Sequence, residues 1–241
     1  MSRHPLRAVG VTAGIVLLAA GAAIAADRVA AAVAAMRIAD GLATEVAGEG
    51  VDVTVGGFPF LTQLAAGAIE DVSYSLDSVT LEGIALTDVS GTASGVAIDG
   101  SGIDALTVYG TLPTASLQQA VDDRVAGLGS VADALGGVTV TPHDGGITAS
   151  VDVLGLTAVQ AEITPEPAGR EILLSVSDLR VAGMSVDPAD LPFGLGDSIQ
   201  QALDGATVSL EGLPAGTEVT AVTPSDAGVE LTVEGTDVVL P

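Results

Sequence analysis

Residues that could carry acid–base chemistry are few in this chain, and they are poorly placed for it. His143 is the one histidine after the first 26 residues, and it stands between Pro142 and Asp144 in a stretch closed by two glycines. Such a stretch is typical of a solvated turn. A serine nucleophile would need this histidine as its base, and the chain has no Gly-x-Ser-x-Gly motif to present the serine. Acyl transfer by the usual route is therefore not predicted.

Acidic residues are numerous but scattered. The 31 Asp and Glu residues form no Asp-x-Asp-x-Asp-Gly loop, and the chain has neither a cysteine nor a histidine pair to complete a metal site. The close pairs, Asp187 with Asp190 and Asp122 with Asp123, are interpreted as helix-start or exposed-face residues. No phosphate-binding loop or dinucleotide motif is present. We therefore expect a protein that is not an enzyme and that holds no metal and no cofactor.

Two of the three phenylalanines surround a proline directly after a predicted strand. The sequence at residues 57–64 is Gly-Phe-Pro-Phe-Leu-Thr-Gln-Leu, and Pro59 cannot donate a hydrogen bond to a sheet ladder. The strand must end or bulge there, which puts Phe58 and Phe60 on a loop. A second Pro-Phe pair stands at 192–193. Two interpretations stay open: core plugs that close the ends of a sheet, or a lipid-contacting mouth.

The N-terminus has the pattern of an export leader. Two arginines and a histidine precede an uncharged apolar run at 8–26, which is about one bilayer thick. The small-x-small sequence at 23–25 fits cleavage by a signal peptidase, whereas the length of the run fits a retained anchor with its arginines in the cytoplasm. We expect residues 1–26 to be a signal peptide or an N-terminal membrane anchor, and residues 27–241 to be a single extracytoplasmic domain.

The charge of the chain restricts its partners. The net charge is −24 and lysine is absent, so the surface repels nucleic acid and gives no electrostatic help towards anionic lipid headgroups. Any affinity for lipid must therefore come from burial of acyl chains, at about 0.8 kcal/mol per methylene. The cations after the leader are Arg28, Arg37, Arg124, Arg170 and Arg180.

Hydrophobic periodicity predicts an α+β fold with a long, mostly antiparallel sheet and about three helices. An alanine-rich helix is expected at 27–46, ended by glycines, with further helices at 114–135 and 197–203 that begin at capping residues. The stripe of the first helix that faces the sheet is predicted to be Val29, Val33, Met36, Ala43 and Val46. From residue 51 onwards apolar and polar residues alternate, which indicates strands with one buried face. The predicted strands are 51–55, 72–76, 84–89, 91–98, 105–110, 138–141, 147–153, 158–163, 171–176, 208–210, 219–222 and 229–233.

Three stretches that begin with Thr-Pro separate pairs of these strands. They lie at 141–146, 164–169 and 223–228, and each ends in glycine. Proline and glycine favour the backbone angles of tight turns. Each stretch is therefore predicted to be a hairpin turn.

The stretch at 57–64 follows an alanine-rich helix and precedes Gly67 and an alternating strand, and the C-terminal part from 213–216 to 237–240 continues the alternation. In these features, over nearly the whole chain after the leader, the sequence resembles the LmeA-like phospholipid-binding proteins of actinobacterial cell envelopes. The resemblance implies a curved sheet wrapped around a long N-terminal helix, similar to the tubular lipid-binding domains of bactericidal/permeability-increasing proteins. It also implies binding of phospholipids, including inositol phospholipids, and a role in maturing mannosylated envelope lipids.

We therefore predict a non-catalytic protein of the periplasm or cell envelope that binds, or binds and transfers, phospholipid or envelope glycolipid precursors at the outer face of the cytoplasmic membrane. The acyl chains would lie in an apolar groove between the sheet and the helix at 27–46. The residues expected to line its mouth are Phe58, Phe60, Leu61, Leu64, Phe193 and Leu195. Two alternatives stay open: a structural envelope scaffold without a ligand cavity, and a glycolipid hydrolase with two carboxylates about 5–9.5 Å apart.

Overall fold

The computed structural model describes residues 5–45, 48–81, 84–126, 137–153, 156–186, 206–210 and 213–239. These residues form three helices: α1, Pro5–Glu45; α2, Phe60–Ala66; and α3, Thr114–Ala126. They also form twelve strands: β1, Asp52–Val55; β2, Ala68–Leu81; β3, Ile84–Ala97; β4, Gly102–Pro113; β5, Val138–His143; β6, Gly146–Val153; β7, Leu156–Ala168; β8, Glu171–Val181; β9, Met184–Ser185; β10, Ala206–Ser209; β11, Ala215–Ser225; and β12, Gly228–Val239. The α+β class is confirmed.

The strands form two antiparallel six-stranded sheets, whereas the sequence predicts one. The order is β1-β2-β3-β4-β12-β11 in the first sheet and β10-β8-β7-β6-β5 in the second, where β9 also pairs with β8. After β4 the chain enters α3 and builds the second sheet before β11 and β12 return to the first, where β12 pairs with β4. Alternation marks each strand but does not identify its partner, so this division was not visible in the sequence.

The two sheets contact each other beside α3. The N–H of Val219 in β11 donates to the carbonyl of Gly169, just after β7, over 2.7 Å. Val140, Ile147 and Val229 form a buried cluster between the sheets, and apolar side chains of α3 pack against it. This cluster is one of the hydrophobic cores of the described residues.

β3 contains a bulge where the sequence predicts a break between two strands. The predicted strands 84–89 and 91–98 are a single strand, β3. Asp88 has a φ of 52°, and the pairing of β3 with β4 shifts between Thr87 and Ser90. An extra residue in one strand bends the ladder without ending it, so the strand continues where the sequence suggests a break.

The three predicted hairpins form, but each turn is shorter than predicted, because the Thr-Pro residues that begin each stretch are paired in strands. The turns connect β5 to β6, β7 to β8, and β11 to β12. The pairs that close them are His143–Gly146, Ala168–Glu171 and Ser225–Gly228.

The predicted leader and the predicted helix at 27–46 are parts of one helix, α1. Among the residues that the structure describes, no helix is both long and apolar enough to cross a membrane. The predicted helix at 197–203 and the residues 127–135 lie outside the described residues, whereas α3 begins at Thr114 as predicted.

α1 packs on the first sheet through alanines. Ala31 is buried in a cluster with Val55 of β1, Val72 of β2 and Phe60 of α2. Four further residues of α1 pack against this cluster: Ala30, Ala34, Ala35 and Ile38. Because alanine side chains are short, the helix backbone can lie close to the strands.

The predicted sheet-facing stripe of α1 is therefore wrong. Of its members, Val29, Val33, Met36 and Ala43 are exposed, and Val46 lies outside the described residues. The prediction followed the larger side chains, as is usual for an amphipathic helix. In a helix this rich in alanine, the close approach of the backbones decides the packed face instead.

Candidate functional site

The connection between β1 and β2 carries the Phe-Pro-Phe sequence. β1 ends at Val55, before Pro59, as predicted. The Phe58–Pro59 peptide bond is cis, and Phe60 begins α2, a helix that the sequence analysis missed. With seven residues, α2 spans two turns of helix, too few for a periodic pattern to be recognised.

Gln63 ties the two ends of this connection together. Its side chain is buried, its Nε2 donates to the carbonyl of Gly56 over 3.3 Å, and its Oε1 accepts the N–H of Glu70 over 2.8 Å. Gly57 has a φ of 78°, and a Cβ at this position would overlap the Gln63 amide. Glycine at 57 and glutamine at 63 are thus explained by the local structure.

Asp27 of α1 caps the N-terminus of α2. The N-cap residue of α2 is Pro59, which makes no side-chain cap hydrogen bond. Instead, Oδ1 of the buried Asp27 accepts the N–H of Leu61 over 2.8 Å. Within the described residues, Asp27 Oδ2 has no hydrogen-bond partner, and it lies 3.9 Å from Nη2 of Arg28. The cap therefore couples α1 to α2 through a buried carboxylate.

The charge of Asp27 makes this coupling dependent on pH. Burial acts to raise the pKa of Asp27, but the N–H groups of α2 and the charge of Arg28 outweigh burial, so the pKa lies below its ordinary value. A lowered pKa in the folded state stabilises the fold at pH values above the unfolded-state pKa of about 4, and the contribution is lost as the pH falls through the folded-state value.

We expect Asp27→Asn to remove this pH-dependent contribution, since the amide oxygen can still accept from Leu61 but carries no charge. Urea unfolding of both proteins between pH 7 and pH 2.5 measures it. The stability difference should be largest near neutral pH and should shrink below about pH 4. A difference that stays constant over this range would contradict the assignment.

The predicted mouth residues that the structure describes fall into two groups. Phe58 is 56% exposed, and Leu61 and Leu64 are exposed on α2. Phe60, in contrast, is completely buried in the core beneath α1. Phe60 therefore has the position of a core plug, whereas the other three are available to a ligand. The remaining predicted residues, Phe193 and Leu195, lie outside the described residues.

A cleft of about 440 Å³ lies between α1 and β1. Its walls are mostly alanine and valine, with one methionine. The residues that line it are Arg28, Ala31, Ala32, Ala35, Met36, Ala39, Val51, Asp52, Val53, Thr54 and Val55. Small-molecule sites are usually mostly apolar and have volumes of roughly 300–1,000 Å³, so this cleft can hold an apolar ligand of modest size.

Arg28 lies where the cleft meets the exposed part of the connection. Its Nη2 donates to the carbonyl of Gly57 over 3.2 Å, and its guanidinium carbon lies 5.0 Å from the centre of the Phe58 ring. A cation over an aromatic face is stabilised by the ring quadrupole. The sequence analysis did not select Asp27 and Arg28, although a signal was present, since they are the first charges after the uncharged run at 8–26.

His143 differs from its prediction as a solvated turn residue. It ends β5, and its Nε2 lies 2.8 Å from Oε1 of Glu162 in β7. The other oxygen of Glu162 accepts a hydrogen bond from Thr148 over 3.0 Å. Gly146 stands between His143 and β7, and its lack of a side chain leaves room for the pair. The register of three strands, which the sequence does not reveal, brings these residues together.

A comparison with known proteins finds one family that matches this chain. A family model described as LmeA-like phospholipid-binding matches residues 25–234. The matched range contains Asp27 and Arg28, the connection with α2, and both walls of the cleft. No curated protein and no solved structure matches the chain.

Proposed function

The chain belongs to the LmeA-like phospholipid-binding family, and from this premise we propose that it binds a phospholipid. In this proposal the protein catalyses no reaction and holds an acyl chain in the cleft between α1 and β1. The observation that carries the proposal is the cleft itself, which is lined mostly by alanine and valine and has a volume of about 440 Å³. Each methylene buried there contributes about 0.8 kcal/mol. Because the chain has a net charge of −24, the acyl chains supply most of the affinity.

The proposal includes a first sheet that curves around α1, as the resemblance implies. This curvature is supported by the number of strands that contribute side chains to the cluster around Ala31. That cluster and the residues packed against it include side chains from four neighbouring strands, β1 to β4. The residues are Val53, Val55, Ile69, Val72, Ala93, Val96, Ile103 and Leu106.

We also propose that the protein works outside the cytoplasmic membrane, after export directed by residues 1–26, and that it passes its lipid to or from that membrane. The apolar run at 8–26 and the basic residues before it support export. The exposed Phe58, Leu61 and Leu64 near the Arg28 end of the cleft support contact with lipid at that end. N-terminal sequencing of the native protein determines whether the leader is removed.

Native mass spectrometry of the protein purified from its own cell envelope tests lipid binding directly. We expect adducts with the mass of a phospholipid, which disappear after solvent extraction, and we expect the stripped protein to take up lipid from vesicles. An exported protein of similar size from the same envelope fraction is the control. Absence of both adducts and uptake would contradict the proposal and favour the structural scaffold.

A further inference from the structure

We propose that the cleft binds its phospholipid in one orientation, with the phosphate on Arg28 and the acyl chain running along α1 towards Ala39. This inference rests on the proposed function, and it adds the headgroup contact and the direction of the ligand. It assigns Arg28 as the residue that distinguishes a phosphate-bearing lipid from a neutral lipid with the same tails.

One hydrogen bond shows which end of α1 lies beside which end of β1 in the cleft. Arg28 reaches Gly57, just after the end of β1, so the Arg28 end of the cleft is also the Val55 end. Ala39 and Val51 therefore mark the opposite end. With a rise of 1.5 Å per residue, α1 covers about 16 Å from Arg28 to Ala39, which is long enough for much of an extended acyl chain but shorter than a whole oleoyl chain.

Arg28 and Asp52 carry opposite charges at the two ends of the cleft. Arg28 stands at the first end with its side chain 49% exposed, and the buried carboxylate of Asp27 lies 3.9 Å from its Nη2, whereas Asp52 lines the cleft near the other end. Among the residues that line the cleft, Arg28 is the one cation, so a phosphate binds more favourably beside it than beside Asp52. Between them the walls are mostly alanine and valine, with Thr54 as a polar member, which suits an acyl chain.

The guanidinium of Arg28 is also held in place before a ligand binds. The Gly57 carbonyl takes one donor on Nη2, and the Phe58 ring lies 5.0 Å away. An arginine has five N–H donors in a planar fork, so the same group can also bind phosphate oxygens. A side chain held in place loses less rotamer freedom when the ligand binds.

The other described arginine side chains have different surroundings. Arg170 donates to the carbonyls of Leu213 and Pro214, and Arg180 pairs with Asp178. Arg37 is exposed on α1 but does not line the cleft. Arg37 is therefore a matched control on the same helix.

The test compares two lipids with the same tails: dioleoylphosphatidylglycerol and dioleoylglycerol. Affinities of the full chain are measured for the wild type, Arg28→Gln, Arg28→Lys and Arg37→Gln. We expect the wild type to prefer the phosphate-bearing lipid. Arg28→Gln keeps a polar side chain without the charge and should lose about tenfold or more in affinity for that lipid alone. Arg28→Lys should lose less, and Arg37→Gln should behave as the wild type.

The outcomes separate this inference from the proposed function. If the wild type binds neither lipid, the proposed function fails. If it binds both equally, or if Arg28→Gln keeps the preference for phosphate, the proposed function stands and the orientation is overturned. An equal loss for both lipids in Arg28→Gln also overturns it, since Arg28 would then act only through the shape of the cleft. If Arg28→Gln does not fold, Arg28→Lys takes its place: a loss of affinity for the phosphate-bearing lipid alone supports the orientation, and an unchanged affinity for both lipids overturns it.

Discussion

Replacing Phe60 with alanine is expected to lower the free energy of unfolding by about 3–5 kcal/mol, the usual cost of removing a fully buried aromatic ring. Phe60 is completely buried and lies in one cluster with Ala31 of α1, Val55 of β1 and Ile69 of β2. Its removal leaves a cavity where the helix meets the sheet, and neighbouring side chains can fill it only in part. Denaturant unfolding followed by circular dichroism measures the change.

Phe58→Ala is the matched control, since the two phenylalanines are separated only by Pro59. Phe58 is 56% exposed, and its described ring contact is with Arg28. We expect its replacement to lower stability by no more than about 1 kcal/mol, the range for an exposed cation–π contact. Similar losses for both variants would mean that the burial assigned to the two rings is incorrect.

Filling the cleft is expected to abolish most lipid binding without unfolding the protein. Ala32 lines the cleft but is exposed and lies outside the core cluster, so Ala32→Trp adds a large side chain to the site and leaves the packing of α1 intact. Displacing only two methylenes of a bound chain removes about 1.6 kcal/mol, which is about a tenfold loss of affinity. A larger loss is expected, because a tryptophan occupies more of the cleft. Lipid uptake from vesicles measures it.

Val33→Trp is the control for added bulk on the same helix. Val33 is exposed and does not line the cleft, because it lies one residue, or about 100° of helix rotation, further on. This variant should bind lipid as the wild type does. If Ala32→Trp also binds normally and remains folded, lipid is not held in this cleft.

Much of the secondary structure could be predicted because its causes are local. The alternation of apolar and polar residues predicted strands that the structure confirms, as in β11, where Val219 is buried and Thr220 is exposed. The three hairpins were located by the glycines that close their stretches, whereas the prolines of these stretches lie in paired strands, which the sequence analysis did not predict. The bulge at Asp88 was not predicted, because a break in alternation has the same pattern whether a strand ends or bends.

The candidate site was predicted only in part. The stretch at 57–64, which the sequence analysis selected, is the connection that carries α2, and a cleft lies beside the helix at 27–46, where a groove was expected. Its use as a lipid site stays a prediction. The sequence could not separate Phe58 from Phe60, since both are equally apolar and only the position of α1 buries one of them. Arg28 was missed because its role depends on Gly57, which is 29 residues away.

By itself, the sequence determined the α+β class, the strands and their turns, and the special character of the Phe-Pro-Phe connection, because each depends on residues that are neighbours in the chain. The tertiary structure decided that the strands divide into two sheets, that α1 packs through alanines, and that Asp27 and Arg28 meet the connection. These depend on which distant surfaces fit together. That fit depends on the shapes of the packed surfaces and on how closely their backbones approach. The pattern of residues along the chain contains neither.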